Sequence, residues 1–193
     1  MDALLSSQVS NTKLDDASDA VLVARAMHDT DAFTTLYRAN ALDVYRYCYR
    51  RLRDREAAED ATSQTFMNAY AGLPRLGTKP FRPWLFAIAR NVVVDVHRTR
   101  RPVFSLDETI DREDSNPSPE ALALDGEQRD AVQQLLRQLP DRDRDVVELR
   151  LAGFSGEEIA QTLNCSREAV RAAHYRAMQR MRALVNAEGI IYP

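Results

Sequence analysis

The sequence predicts an all-α protein: two small helical domains joined by an acidic flexible linker, the C-terminal one a helix-turn-helix. Three observations predict it. Apolar residues recur at three- and four-residue steps through 31–52, 54–70 and 81–96, and no useful length of chain shows the alternation of a strand. Residues 102–124 interrupt that pattern with Pro102, Pro117 and Pro119 among serines and acids, the composition of a solvated tether. Residues 155–184 then read as a short capped helix, a tight turn and an arginine-rich helix. The expected organisation is a loose tail at 1–17, a helical domain at 18–101, a linker at 102–124 and a second helical domain at 125–193.

Each element has a local reason. A short helix is expected at 19–27, capped by Ser18. The helix at 31–52 carries the stripe Phe33, Leu36, Tyr37, Ala41, Val44, Tyr45, Cys48, Leu52. Asp54 caps a third helix with Ala58, Ala61, Thr62, Thr65, Phe66, Ala69 and Tyr70 on one face. Gly72 and Pro80 bound a loop. A fourth helix begins near Phe81; Pro83 is tolerated in its first turn, and Trp84, Leu85, Ile88, Ala89, Val92, Val93 and Val96 line its buried side. After the linker, Val132, Leu135, Leu136 and Leu139 restart the helical pattern, and Pro140 stops it. Asp141 is expected to cap a helix that runs to Leu151, with Gly153 as its terminator. Ser155 and Glu158 form a capping box, Asn164 tolerates the left-handed backbone of a tight turn, and Ser166 caps the last helix.

The formal net charge of −3 conceals a segregation of charge. Residues 90–101 hold Arg90, Arg98, Arg100, Arg101 and His97 against Asp95 alone, whereas residues 105–130 hold nine acids and two arginines. A basic face can therefore meet phosphates while an acidic segment cancels the sum. The start, Met1-Asp2-Ala3-Leu4-Leu5, lacks a basic, apolar leader, and no apolar run reaches membrane length, so a cytoplasmic protein without membrane association is expected. Cys48 and Cys165 read as two reduced, semi-buried thiols. His28, His97 and His174 make no metal-ligand spacing, and there is no glycine-rich phosphate loop or nucleophile elbow. No catalytic, cofactor or metal site is expected, and the chain does not read as an enzyme.

The sites that remain are binding faces. On the last helix Val170, Ala173, Ala177, Met181 and Leu184 form the inner row. Ser166, Arg167, Glu168, Arg171, Ala172, Tyr175 and Arg176 are then the candidate contacts to a DNA major groove. On the fourth helix Arg90, Asn91, His97, Arg98, Arg100 and Arg101 form a second basic face, beside the loop cations Arg75 and Lys79. Phe81, Trp84 and Phe86 are aromatic rings that could stack on unpaired bases, although Trp84 starts the apolar stripe and reads better as core.

With these stretches in order, the sequence resembles an extracytoplasmic-function sigma factor of bacterial RNA polymerase, from residue 19 to residue 185. Asp31-Ala32-Phe33, Leu36-Tyr37-Arg38 and Val44-Tyr45-Arg46 resemble that family's opening helix. Ala58-Glu59-Asp60, Thr65-Phe66 and Ala69-Tyr70 resemble its polymerase-docking helix. The most specific stretch runs from Phe81-Arg82-Pro83-Trp84 to Ala89-Arg90-Asn91. Leu139-Pro140, Arg144-Asp145-Val146-Val147 and Glu157-Glu158-Ile159-Ala160 resemble its C-terminal domain. The resemblance implies that Asp54, Glu56, Glu59, Asp60, Gln64, Thr65 and Asn68 face the polymerase clamp helices. It implies that the loop at 73–80 and the fourth helix read and open the −10 promoter element, and that the last helix reads the −35 element while its domain meets the polymerase flap. An anti-sigma partner is expected too. The alternative is a stand-alone helix-turn-helix regulator, because the C-terminal half also resembles response-regulator output domains.

Overall fold

The computed structural model describes residues 16–100 and 126–188. Its elements are α1 (Asp16–Ala26), α2 (Thr30–Leu52), α3 (Arg55–Gly72), a single 3₁₀ turn (Leu73–Arg75), α4 (Phe81–Arg100), α5 (Gly126–Arg137), α6 (Asp141–Leu151), α7 (Gly156–Thr162) and α8 (Arg167–Glu188). Among the described residues there is no strand. The linker at 102–124, Arg101 and most of the N-terminal segment lie outside the described residues.

The helix ends follow capping chemistry, with two corrections. The first helix already includes Asp16, so Ser18 lies inside it and is not its cap. Helix α6 has Pro140 at its N-cap, with φ −56° and ψ 144°, and no side-chain cap bond. Asp141 therefore occupies the first helical position, where its charge complements the positive end of the helix dipole without capping it. Elsewhere the local rules hold. Asp54 accepts the Ala57 N–H at 2.7 Å, and the sequence-silent Asp29 opens α2 by accepting from Asp31 and Ala32. The α7 box is reciprocal: Glu158 N–H donates to Ser155 Oγ at 3.2 Å and Ser155 N–H donates to Glu158 Oε2 at 2.7 Å. Asn164 takes φ 48°, the left-handed turn between α7 and α8, and Gly153 takes φ 82° just after α6.

Helices α1–α4 pack around Leu36, Val44, Tyr47, Phe66, Leu85 and Phe86, all buried. Phe81 and Phe86 belong to this core, which removes them as base-stacking rings. Trp84 is half-buried against it, with its ring 6.0 Å from Phe81. The indole also covers Gly72, where a Cβ would stand 2.9 Å from Trp84 Cζ2. The C-terminal body has a small cluster of its own, Leu136, Leu139, Val147 and Ala177, with Val132 and Met181 at its edge. Its other buried residues, Val146, Leu149, Phe154, Ile159 and Val170, are continuous with the N-terminal core. The two bodies therefore share one apolar interior, with α4 against α7 and α6 against the end of α2.

Candidate nucleic-acid and polymerase interface

The best-exposed row is on α8. Ser166 Oγ accepts the Ala169 N–H at 3.2 Å and fixes the start of the helix. Val170, Ala173 and Ala177 face inward and are fully buried, which leaves Ser166, Arg167, Glu168, Arg171, Ala172, Tyr175 and Arg176 exposed. Tyr175 is 65% exposed, a large aromatic ring held out in water. Arg167 lies 3.3 Å from Glu157 and Arg171 3.4 Å from Glu168; exposed pairs of this kind are weak and leave the guanidinium groups open to exchange partners. Arg176 is different. It meets the buried Asp143 of α6 through Nη2 at 2.7 Å and Nε at 3.3 Å, and this hydrogen bonding raises its pKa. It ties α8 to α6 as well as lying on the exposed row. Its partner Asp143 gave no sign in the sequence beyond a helix-start acid. Glu168 has its carboxyl held below the ordinary value by its own backbone N–H and by the Ser166 hydroxyl, so it is ionised at neutral pH.

The second row, on α4, is mixed. Asn91, His97 and Arg98 are exposed, and the loop cations Arg75 and Lys79 are exposed beside them. Arg98 pairs with Asp95 one turn earlier at 3.1 Å. Arg100 ends the helix. Arg90 faces the other body: its Nε donates to Asp145 Oδ2 at 2.6 Å. Partial burial lowers its pKa, but the Asp145 carboxylate more than offsets this and the net shift is upward.

Of the docking candidates on α3, Glu56, Glu59, Asp60, Gln64 and Asn68 are exposed, with Asp54 half-buried at the cap. Gln64 and Asn68 bond each other at 2.8 Å, and Arg55 pairs with Glu59 at 2.9 Å. Thr65 does not belong to this face. It is fully buried and its hydroxyl donates to the Ala61 carbonyl at 2.7 Å. Its place in the Ala61, Thr62, Phe66 stripe was the available signal. Met67 and Tyr70 are exposed on α3, and Tyr37 on α2 lies edge-on to Phe66 at 4.6 Å, so this side of the bundle mixes acids with open apolar surface.

Sequence reasoning missed a cross-body seam. Arg50 at the end of α2 donates to Glu148 Oε2 at 2.6 Å, and Arg51 donates to Asp145 Oδ1 at 2.9 Å. Arg82 of α4 donates to both Asp43 and the Ala152 carbonyl. Its guanidinium also sits 4.2 Å from the Phe154 ring centroid. Phe154 itself meets Phe86 edge-on at 4.7 Å. These pairings join residues up to 98 positions apart, which no periodicity reveals.

Comparison with known proteins agrees with this geometry. The profile described as Sigma-70 region 2 matches residues 36–103, and Sigma-70, region 4 matches residues 129–181. The first match accounts for the N-terminal body, which a stand-alone regulator would fill with a sensing domain. The ECF RNA polymerase sigma factor BldN of Streptomyces coelicolor is 35% identical over 182 residues, covering 89% of this chain and 67% of that one. ShbA of Streptomyces griseus, also an ECF RNA polymerase sigma factor, is 36% identical over 152 residues, 72% of this chain and 80% of its own. Among solved structures, CnrH in complex with the cytosolic domain of CnrY aligns with TM-score 0.70 and 25% identity, covering 88% of this chain and 97% of that one. RpoE of Bartonella quintana, bound to the anti-sigma factor NepR, shares the fold at TM-score 0.61 and 22% identity, over 80% of this chain and 96% of its own. With region 2 and region 4 in order and relatives of this identity over most of its length, the chain belongs to the ECF RNA polymerase sigma factors of the sigma-70 family.

Proposed function

We propose that this sigma factor acts as an intracellular, non-catalytic subunit that mounts on core RNA polymerase and directs it to promoters by two separate contacts. The observation that carries the reading is the α8 row, capped, anchored by a buried inner face and open to solvent at Arg167, Arg171 and Tyr175. A helix presented in this way places its early residues at base edges and its later arginines at phosphates. In this reading the N-terminal body, 18–101, docks on the clamp helices through the acidic α3 face. It opens the −10 element with Arg75, Lys79, Asn91, His97, Arg98, Arg100 and Arg101, and with Arg90 once that residue is free. The C-terminal body, 125–193, reads the −35 element with α8 and meets the flap. The acidic segment at 102–124 bridges them, suited by its charge to a cationic channel. The neighbours solved with a bound protein, CnrH with the cytosolic domain of CnrY and RpoE with the anti-sigma factor NepR, support a partner of the anti-sigma kind here. Among the described residues no helix is long and apolar enough to cross a membrane. Core polymerase reconstituted with and without the factor on genomic DNA tests the reading: new, factor-dependent start points are expected, and identical start points in both reactions refute it.

A further inference from the structure

The arginines at the start and middle of α8 are not equally ordered. Arg167 and Arg171 pair only with acids that are themselves exposed, Glu157 and Glu168, so both guanidinium groups keep most of their rotamer freedom. Arg176 is held from behind. It lies between exposed Tyr175 and buried Ala177, at the flank of the row, on a helix that packs against α6. Asp143, in the first turn of α6, is 5% exposed, and each of its carboxylate oxygens accepts from this one guanidinium.

The grip is side-on, through Nε and Nη2. A guanidinium also carries donors on its outer edge, at Nη1 and the second N–H of Nη2. Among the described residues that edge meets no other acceptor, and the Arg176 side chain is 56% exposed. Two parallel N–H groups on a fixed plane match two oxygens of a phosphate.

Two effects of Asp143 oppose each other. Its charge weakens the field that Arg176 presents to a polyanion. Its two bonds remove, before any ligand arrives, the rotamer entropy that a long side chain otherwise loses on contact. The burial of the acid favours the second effect, because a carboxylate behind the helix row reaches DNA only through the arginine it holds.

We propose that Asp143 is a positioning residue for the promoter contact: it locks the Arg176 fork with its outer edge turned to a backbone phosphate beside the −35 element. Asp143 itself touches no nucleotide. The buried acid thus plays the part of a supporting shell, fixing a contact group that is late in the helix and belongs to the backbone rather than to the bases. The proposal rests on the −35 reading of α8 given above.

The test uses holoenzyme reconstituted with the full-length factor and promoter duplexes carrying one neutral methylphosphonate at a time along the −35 region. With the parent factor, neutralising the phosphate that Arg176 meets is expected to weaken binding, and Arg176→Ala is expected to erase the effect at that position alone. Asp143→Asn is expected to erase it at the same position and to weaken binding to unmodified promoter about three- to tenfold, the cost of ordering one long side chain during association. Asp143→Ser takes its place if the asparagine variant loses its helical circular dichroism. Tighter binding by the Asp143 variant overturns the proposal, because the acid then acts only by opposing the phosphate. Weaker binding with the methylphosphonate pattern intact also overturns it, because the pair then serves only to join α6 to α8. No position erased by Arg176→Ala overturns it as well. A holoenzyme that leaves the −35 duplex unprotected sinks the proposed function and this proposal together, whereas a protected duplex with an unaltered pattern sinks this proposal alone.

Discussion

Helices α4 and α8 are alike on paper: 20 and 22 residues, arginine-rich, each with one buried face. They differ in where their arginines are engaged. On α4, Arg82 and Arg90 are drawn into ion pairs with Asp43 and Asp145, and the exposed part of the row lies at and beyond Asn91. On α8, Arg167 and Arg171 stand in water with weak exposed partners, and Arg176 alone is committed to a buried acid. A basic helix in a sequence is thus an inventory of cations. Tertiary partners decide which of them are available to a ligand.

The harshest way to break the contrast is to remove what holds α4 against the second body. Phe154→Ala empties a fully packed site beside Phe86 and should destabilise the fold by about 3–5 kcal/mol, read as a fall in urea midpoint. A change of a few tenths would show that the ring is not what joins the bodies. The next test separates the two arginine sets. Arg171→Ala should leave the melting temperature unmoved and cost about 1–3 kcal/mol of discrimination at one −35 base pair, measured by competition binding of promoter variants to the holoenzyme. Arg90→Ala should do the reverse in the free factor. It loses a charge-assisted bond worth about 1 kcal/mol once its partial exposure is allowed for. Equal thermal effects at the two positions would erase the distinction between a committed and an open row. Smaller still, Ser155→Ala removes the hydroxyl half of the α7 box and should lower stability by about 1 kcal/mol without touching either row.

The two cysteines sharpen the same contrast between interior and surface. Burial pushes the Cys48 thiol from 9.0 up to about 11, and its neighbour Tyr47 shifts upward for the same reason. Alkylation at pH 8 should therefore modify Cys165, at the α7–α8 turn, and spare Cys48 until the chain unfolds. The sign for stability follows. An acid whose folded pKa is raised contributes fully below its unfolded value, so urea resistance should hold to about pH 9 and decline as pH rises toward 11.

Much of this was legible in the sequence, and the parts that were not share a cause. Helix types, the reciprocal box at Ser155 and Glu158, the Asn164 turn and the inner row of α8 depend on neighbours within four residues, and they follow from spacing. The two misplaced caps fail by small amounts. Pro140 takes the position Asp141 was expected to hold, because a proline just before a helix already supplies the extended backbone of a cap. Thr65 sits on the apolar stripe while the resemblance implies a binding role for it; its buried hydroxyl returns it to the core. Asp145 and Glu148 read locally as ordinary acids on a solvated helix. Partners lying 55 to 98 residues upstream make them interior, and pairing at that range leaves no local trace.

Trp84 lying over Gly72 has a practical consequence for anyone building chimaeras from related factors. The connector between α3 and α4 can be exchanged as a cassette only if the graft keeps a bare hydrogen at its first position and the indole at its far side. A donor segment beginning with alanine would wedge the two helices apart at their joint. The recipient would then misplace Arg75 and Lys79 even though every residue of the new loop matched its source.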